Sequence, residues 1–237
     1  MKKFLSLLVA AAMVSCTGKN GSDRTSGELL YTRAMENFKF NRVKSAIEDF
    51  EKLESNYDFA KYYEAMLMIA YAHYSIGDYD DALLKIDSIK KLNMDIENLQ
   101  YVYYLEILNK YKKIGKSRRD LMMLKEVFYD IGMMLAIFPG SIYDDDLILK
   151  SKDVLEYLVE SELNIAKFYI ENNNFIGALN HLREITNKYP ENIYSPEVSY
   201  LMYRLYSHIG YVEGKDLYRK LLEKKYADSK WFKKIGS

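Results

Sequence analysis

The stretch YYEAMLMIAYAHYSIGDYDDALLKIDSIKKL, Tyr62 to Leu92, decides the fold, because it holds two apolar-periodic segments hinged at Gly77-Asp78. In the first, Tyr63, Met66, Leu67, Ala70 and Tyr74 recur at the spacing of one helical face, and in the second Ala82, Ile86 and Ile89 do the same. A glycine at position 77 can take the φ > 0 conformation that ends a helix without a Cβ clash, and Asp78 stands where the next helix needs an N-cap. The stretch reads as a helical hairpin. Small Ala82 lets the two helices approach closely, and Ile86 packs beside it one turn later.

The same small-then-large pair recurs as Ala46 with Phe50, Val127 with Ile131, Ala178 with Leu182 and Gly214 with Tyr218. The second helix of each hairpin is expected to end near Asp58, Met94, Pro139, Pro190 and Tyr226, two of them prolines, which cannot continue a helix. Ala46 to Ala82 and Ala178 to Gly214 are 36 residues each, close to the roughly 34-residue period of tetratricopeptide repeats. The two middle spacings, 45 and 51 residues, require inserted turn or helix. The expected fold is all-α, a tetratricopeptide-like superhelix of five helical hairpins. An extra helix precedes the fourth hairpin, with a break near Leu158 to Ser161.

The chain of 237 residues is 49% hydrophobic and 29% charged, which fits a globular protein rather than a disordered one. Its 34 basic and 34 acidic residues balance, so no global electrostatic argument favours nucleic acid as a partner. His73, His181 and His208 lie on three different repeats, and no HExxH, CxxC, Walker lysine loop or GxSxG occurs. Asp144-Asp145-Asp146 is better explained by the favourable dipole of a helix first turn than by a metal. No cofactor and no enzyme activity are expected, and function should reside on the concave surface of the stacked hairpins.

Residues 1–15 open on Lys2-Lys3 and continue with an apolar run from Phe4 to Val14. The run is shorter than the roughly 20 residues a spanning helix needs, so it reads as a signal peptide. Cys16, the sole cysteine, follows Val14-Ser15 where bacterial lipoprotein signals place the lipidated residue. Thr17, in place of the Asp that retains lipoproteins in the inner membrane, points to a lipid-anchored position on the periplasmic face of the outer membrane. Residues 16–27 then form a polar, glycine-rich tether.

The first hairpin is expected from about Glu28 to Phe40 and from Asn41 to Asn56, with Glu48, Asp49, Glu51 and Glu54 on a solvated outer face. Lys110, Lys112, Lys113, Lys116, Arg118 and Arg119 crowd an exposed connection around Gly115, and Met122, Met123, Met133 and Met134 read as core. Lys215 to Lys234 holds eight basic and three acidic residues, a positive end suited to a partner or a membrane surface. The repeats divide into an N-terminal half, 28–140, and a C-terminal half, 141–230, with 231–237 as a tail.

A lipoprotein cysteine, a tether and five such hairpins resemble the BamD family, the outer-membrane lipoprotein of the β-barrel assembly machine. AYAHYSIGDYDDAL at 70–83 is similar to the family's second repeat, YVYYLEIL at 101–108 to its third, and FPGSIY at 138–143 to the turn before its extra helix. The resemblance implies N-terminal repeats that recognise the C-terminal signal of unfolded outer-membrane proteins. It implies C-terminal repeats that dock the periplasmic domains of BamA and other assembly subunits. Laying the repeat pattern on the chain puts Tyr31, Met35, Phe38, Leu67, Tyr71, Tyr74, Tyr101, Tyr104 and Tyr111 at concave positions, an aromatic trough suited to a peptide ending in Phe. By the same resemblance His181, where better-studied members carry arginine, and Arg183 fall in the BamA-docking helix. The alternative is a generic periplasmic repeat scaffold, such as a pilotin or cell-envelope adaptor.

Overall fold

In the computed structural model the described residues are 20–55, 61–92, 96–115, 120–190, 192 and 194–236. Cys16 and the segment before it, the helix-end positions Asp58 and Met94, and Lys116, Arg118 and Arg119 lie outside them. The described elements are all helical: α1 (Asn20–Lys39), α2 (Val43–Glu54), α3 (Tyr62–Ile76), α4 (Tyr79–Lys90), α5 (Ile96–Ile114), α6 (Leu121–Ile137), α7 (Asp144–Glu171), α8 (Phe175–Lys188), α9 (Ser195–His208), α10 (Val212–Lys225) and α11 (Lys230–Lys233). They form two compact units that divide between Asp78 and Tyr79. Within each unit every helix packs on its neighbour in sequence, from α1 to α3 in the first and from α4 to α11 in the second. This is the nearest-neighbour pattern of a repeat array.

The turns form where the sequence places them. Gly77 ends α3 at φ 84°, and the Asp78 and Gly77 amides donate to the His73 and Tyr74 carbonyls at 3.0 and 3.1 Å, closing the last turn of the helix. Two of the three prolines lie just past helix ends, Pro139 beyond Ile137 and Pro190 beyond Lys188, and Pro196 sits in the first turn of α9. Ala46, Ala82, Val127 and Ala178 are fully buried, and the large residues that follow them, Phe50, Ile86, Ile131 and Leu182, are at most 1% exposed. Gly214 is the tightest of the set: a Cβ there would lie 2.5 Å from the Tyr211 ring and 2.8 Å from that of Tyr206.

The structure corrects several expectations. Helix α1 begins at Asn20 rather than Glu28, so the segment expected as tether is helical from residue 20 and Gly27 is buried in it. Helix α7 runs unbroken from Asp144 to Glu171. The extra helix and the first helix of repeat four are one element, because Leu158, Val159, Glu162 and Leu163 are buried and no Gly or Pro interrupts them. Nothing divides the chain at 140, since one hydrophobic core extends from Ile107 on α5 to Tyr206 on α9. The expected tail carries α11, whose Trp231 rests on Tyr200 at 5.3 Å between centroids. Met122 and Met133 are exposed rather than core, while Met134 is buried.

Asp49 is the sharpest correction. It is 5% exposed and receives Arg33 Nε and Nη2 at 2.8 and 2.7 Å, Asn37 Nδ2 at 3.1 Å and Lys52 Nζ at 3.2 Å. It ties α2 to α1 instead of facing water. Hydrogen bonding to the Arg33 guanidinium holds its carboxyl below the usual carboxylate range. Lys110 is likewise internal, bridging Glu106 on α5 to Glu126 and Asp130 on α6 at 3.0, 2.7 and 2.7 Å. Burial alone would lower its pKa, but these acids outweigh burial and the net shift is upward.

Two measurements follow from this packing. Ala82→Leu and Gly214→Ala should each lower stability, the former by about 1 to 3 kcal/mol through overpacking. Ala136→Leu, at an exposed site on α6, should leave the melting temperature unchanged; equal effects at all three sites would show that the small residues do not set the helix crossings. Because the folded Asp49 carboxyl titrates below its unfolded value, its pairing stabilises above about pH 4 and is lost as pH falls through the folded value. Asp49→Asn should therefore lower the melting temperature at pH 7, with the gap to the parent chain closing in acid.

Candidate functional site: tyrosine-bearing helix faces

In the first unit α1 and α3 lie side by side and run parallel. Lys61 meets Glu28 at 3.5 Å, the Tyr31 hydroxyl donates to Glu64 at 3.1 Å, and Phe38 packs on Tyr71 at 5.6 Å between centroids. Partners in all three contacts are 33 residues apart, as in-register helices one repeat apart require. Tyr31 is pinned: its ring meets Phe50 edge-on at 5.9 Å, Lys61 Nζ lies 4.4 Å from its centroid, and burial followed by the Glu64 charge pushes its pKa up to about 12. Leu67, expected to line a groove, is only 9% exposed and belongs to the interior. Met35 and Tyr71 are open, at 37% and 36% exposed. Phe38 is half-buried beside Tyr71, which stacks on Tyr74 at 6.2 Å and 30°. The first unit thus presents a short aromatic ridge from Met35 across Phe38 and Tyr71 to Tyr74.

In the second unit Tyr104 and Tyr111 of α5 reach α7 and are engaged there. The Tyr104 hydroxyl donates to Asp146 and that of Tyr111 to Asp153, both at 2.8 Å across 42 residues. Again the constant offset means parallel helices in register, with the offset lengthened by the insertion. Tyr143 stacks on Tyr104 at 4.1 Å and 14°, and Tyr101 approaches Tyr143 at 6.4 Å. Lys150 Nζ holds both Asp146 oxygens at 2.6 and 2.7 Å and lies 5.3 Å from the Tyr111 ring centroid. Burial, reinforced by Asp153, pushes the Tyr111 pKa up to about 12. Burial would raise the Asp146 pKa, yet the bonds from Lys150 and Tyr104 leave it lowered. The acidic first turn of α7 therefore serves packing, as Asp144 Oδ2 also shows by accepting the Gly140 amide at 2.9 Å.

His181 and Arg183 are not brought together. His181 faces α7, its Nδ1 2.6 Å from Glu162 Oε2 and its ring stacked on Tyr169 at 5.5 Å. Glu162 is 1% exposed and its other oxygen accepts from Lys125 of α6 at 2.8 Å, so α6, α7 and α8 meet at one buried carboxylate. Arg183 is exposed and reaches the Tyr206 hydroxyl of α9 at 3.3 and 3.4 Å. The role of Tyr143 as the platform for Tyr104 was missed in the sequence, although its place one turn ahead of Asp146 was a usable signal. Among the described residues no helix is long and apolar enough to cross a membrane.

The chain is similar to known proteins over most of its length. The chain is 26% identical over 243 residues to the outer membrane protein assembly factor BamD of Xylella fastidiosa strain 9a5c, covering 95% of this chain and 83% of that one. It is 26% identical over 240 residues to BamD of Rickettsia prowazekii, covering 98% and 94%, and 24% identical to BamD of Haemophilus influenzae, covering 89% and 85%. Among solved structures the type IV pilus biogenesis factor PilW aligns with 90% of this chain and 99% of its own at 11% identity. Its TM-score of 0.36 is too low for a shared arrangement to be read from it. The family model for YfiO, described as outer membrane lipoprotein, matches residues 23–221. With that match spanning most of its length, the chain belongs to the YfiO family of outer membrane lipoproteins.

Proposed function

We propose that this protein is a non-enzymatic subunit of the machinery that assembles β-barrel proteins into the outer membrane. In this reading it is anchored through lipid on Cys16 and needs no cofactor. It receives the C-terminal signal of an unfolded outer-membrane protein on its N-terminal repeats and docks BamA and other subunits through its C-terminal ones. The relatives named as assembly factors, aligned over most of their length, support the broad role. A single observation supports the peptide site: the ridge of Met35, Phe38, Tyr71 and Tyr74, where two parallel helices leave aromatic and thioether surface open to water. A terminal Phe ring laid on Tyr71 would gain about 0.5 to 1.5 kcal/mol per ring pair beyond area burial. With two or three such contacts and the cost of ordering a peptide, binding falls in the micromolar to millimolar range. A receptor that passes its client onward requires such weak binding.

Tyr104 and Tyr111 contribute less to this site, since their hydroxyls are bonded to α7 and Tyr104 is covered by Tyr143. For docking, Arg183 offers an exposed charge on α8, whereas His181 acts through its hold on Glu162.

A photo-crosslinker at Tyr71 should capture a Phe-terminated peptide in higher yield than one at Tyr104, and both should exceed one at Glu48, an exposed site on α2. Equal yields at the three positions would mean that the ridge is not the receptor.

A further inference from the structure

The chain as a whole is electrically balanced, yet one part of the second unit is not. Residues 215–234 carry eight basic and three acidic side chains. Elsewhere in this unit most lysines find acids, as Lys110, Lys125, Lys150 and Lys167 do. Among the described residues, Lys215, Arg219, Lys220, Lys224, Lys225 and Lys233 make no ion pair, and all but Lys215 are exposed. Leu217, 62% exposed, shares the outer face of α10 with Lys220 and Lys224, one and two turns on. At α11, Trp231 packs on Tyr200, with Lys230 and Lys234 Nζ 5.0 and 4.5 Å from its ring centroid and Arg204 5.9 Å from that of Tyr200. The aromatic pair thus fixes α11 on α9 and holds cations around a half-buried indole.

We infer that the α10–α11 face is a docking surface for an anionic phospholipid membrane. The inference rests on the family's membrane-bound character and not on the peptide reading. Three features favour lipid over an acidic protein. The charge is almost entirely lysine, with Arg219 the only arginine between 215 and 234. Lysine is a mobile, hydrated point charge suited to a fluid headgroup layer, whereas fixed carboxylates are met best by the planar guanidinium fork. The cations alternate with exposed Leu217 and half-buried Trp231 and Phe232, the mixture of basic and apolar groups that settles at a bilayer interface. Finally, a protein already held at a membrane needs only weak additional attraction to orient one face toward it, and a cluster of this size supplies that.

Trp231 is the chain's only tryptophan, so it reports on this face without labelling. The full chain, reconstituted into phosphatidylcholine vesicles or into vesicles half phosphatidylglycerol, should show blue-shifted Trp231 emission and quenching by brominated lipid only in the anionic set. In 1 M salt, where the Debye length is about 3 Å, the response should vanish. Lys230→Glu with Lys233→Glu and Lys234→Glu, and separately Lys220→Glu with Lys224→Glu, should each remove most of the blue shift and quenching on the half-phosphatidylglycerol vesicles, with unchanged helical circular dichroism. Equal quenching on neutral and anionic vesicles, or variants that respond like the parent, would overturn the inference. A salt-sensitive Trp231 response to polyglutamate, with none to anionic vesicles, would overturn it in favour of an acidic protein partner.

Discussion

Everything in this structure depends on how closely consecutive helices can cross. A hairpin of two amphipathic helices has no core of its own unless its backbones approach, and approach is limited by the side chain at the crossing. Ala46, Val127, Ala178 and Gly214 hold that position on the second helix of hairpins that lie within one unit, all buried, and at Gly214 even a methyl group would strike Tyr211. The large residue one turn later then fills the space beside the crossing. Since within each unit a helix packs chiefly on its sequence neighbours, stability is a sum of local interfaces, and insertions between repeats are tolerated as long as the crossings persist.

Polar ties complete the apolar crossings. Asp49 under Arg33, Lys110 among three acids and Glu162 between Lys125 and His181 each join helices at a buried or half-buried charge. A buried carboxylate is costly unless all its acceptor sites are used, so these groups specify which faces meet more than they strengthen the meeting. The same logic governs Tyr104 and Tyr111 of α5, whose hydroxyls reach acids on α7 and keep the two helices in register.

Most of the helices, their turns and the four crossings that lie within a unit were legible in the sequence, because periodicity and small residues report directly on apolar packing. What escaped had other causes. Asp49 borders a stripe of Ala46, Phe50 and Leu53, but its partners Arg33 and Asn37 sit on another helix, and a hydrophobic pattern cannot distinguish a paired acid from a solvated one. The break expected at Leu158 to Ser161 came from counting repeat lengths, and the local residues, which have no helix breaker, gave no support for it. Helix α6 is apolar nearly all round, so periodicity could not tell exposed Met122 and Met133 from buried Met134. Of the nine positions expected to line a groove, Leu67 failed because both faces of α3 are apolar and the repeat pattern chose the wrong one.

The tyrosines of the two units, alike in sequence, differ in what they are free to do. Tyr104 and Tyr111 of α5 are committed to α7, while Met35 and Tyr71 of the first unit keep more than a third of their surface in water. If the protein receives unfolded outer-membrane proteins, the receiving surface is therefore on α1 and α3. Hydrogen–deuterium exchange with and without a peptide ending in Phe tests this most directly. The account requires added protection confined to the C-terminal half of α1 and to α3; protection that falls instead on α5 and α7, or on neither pair, would contradict it.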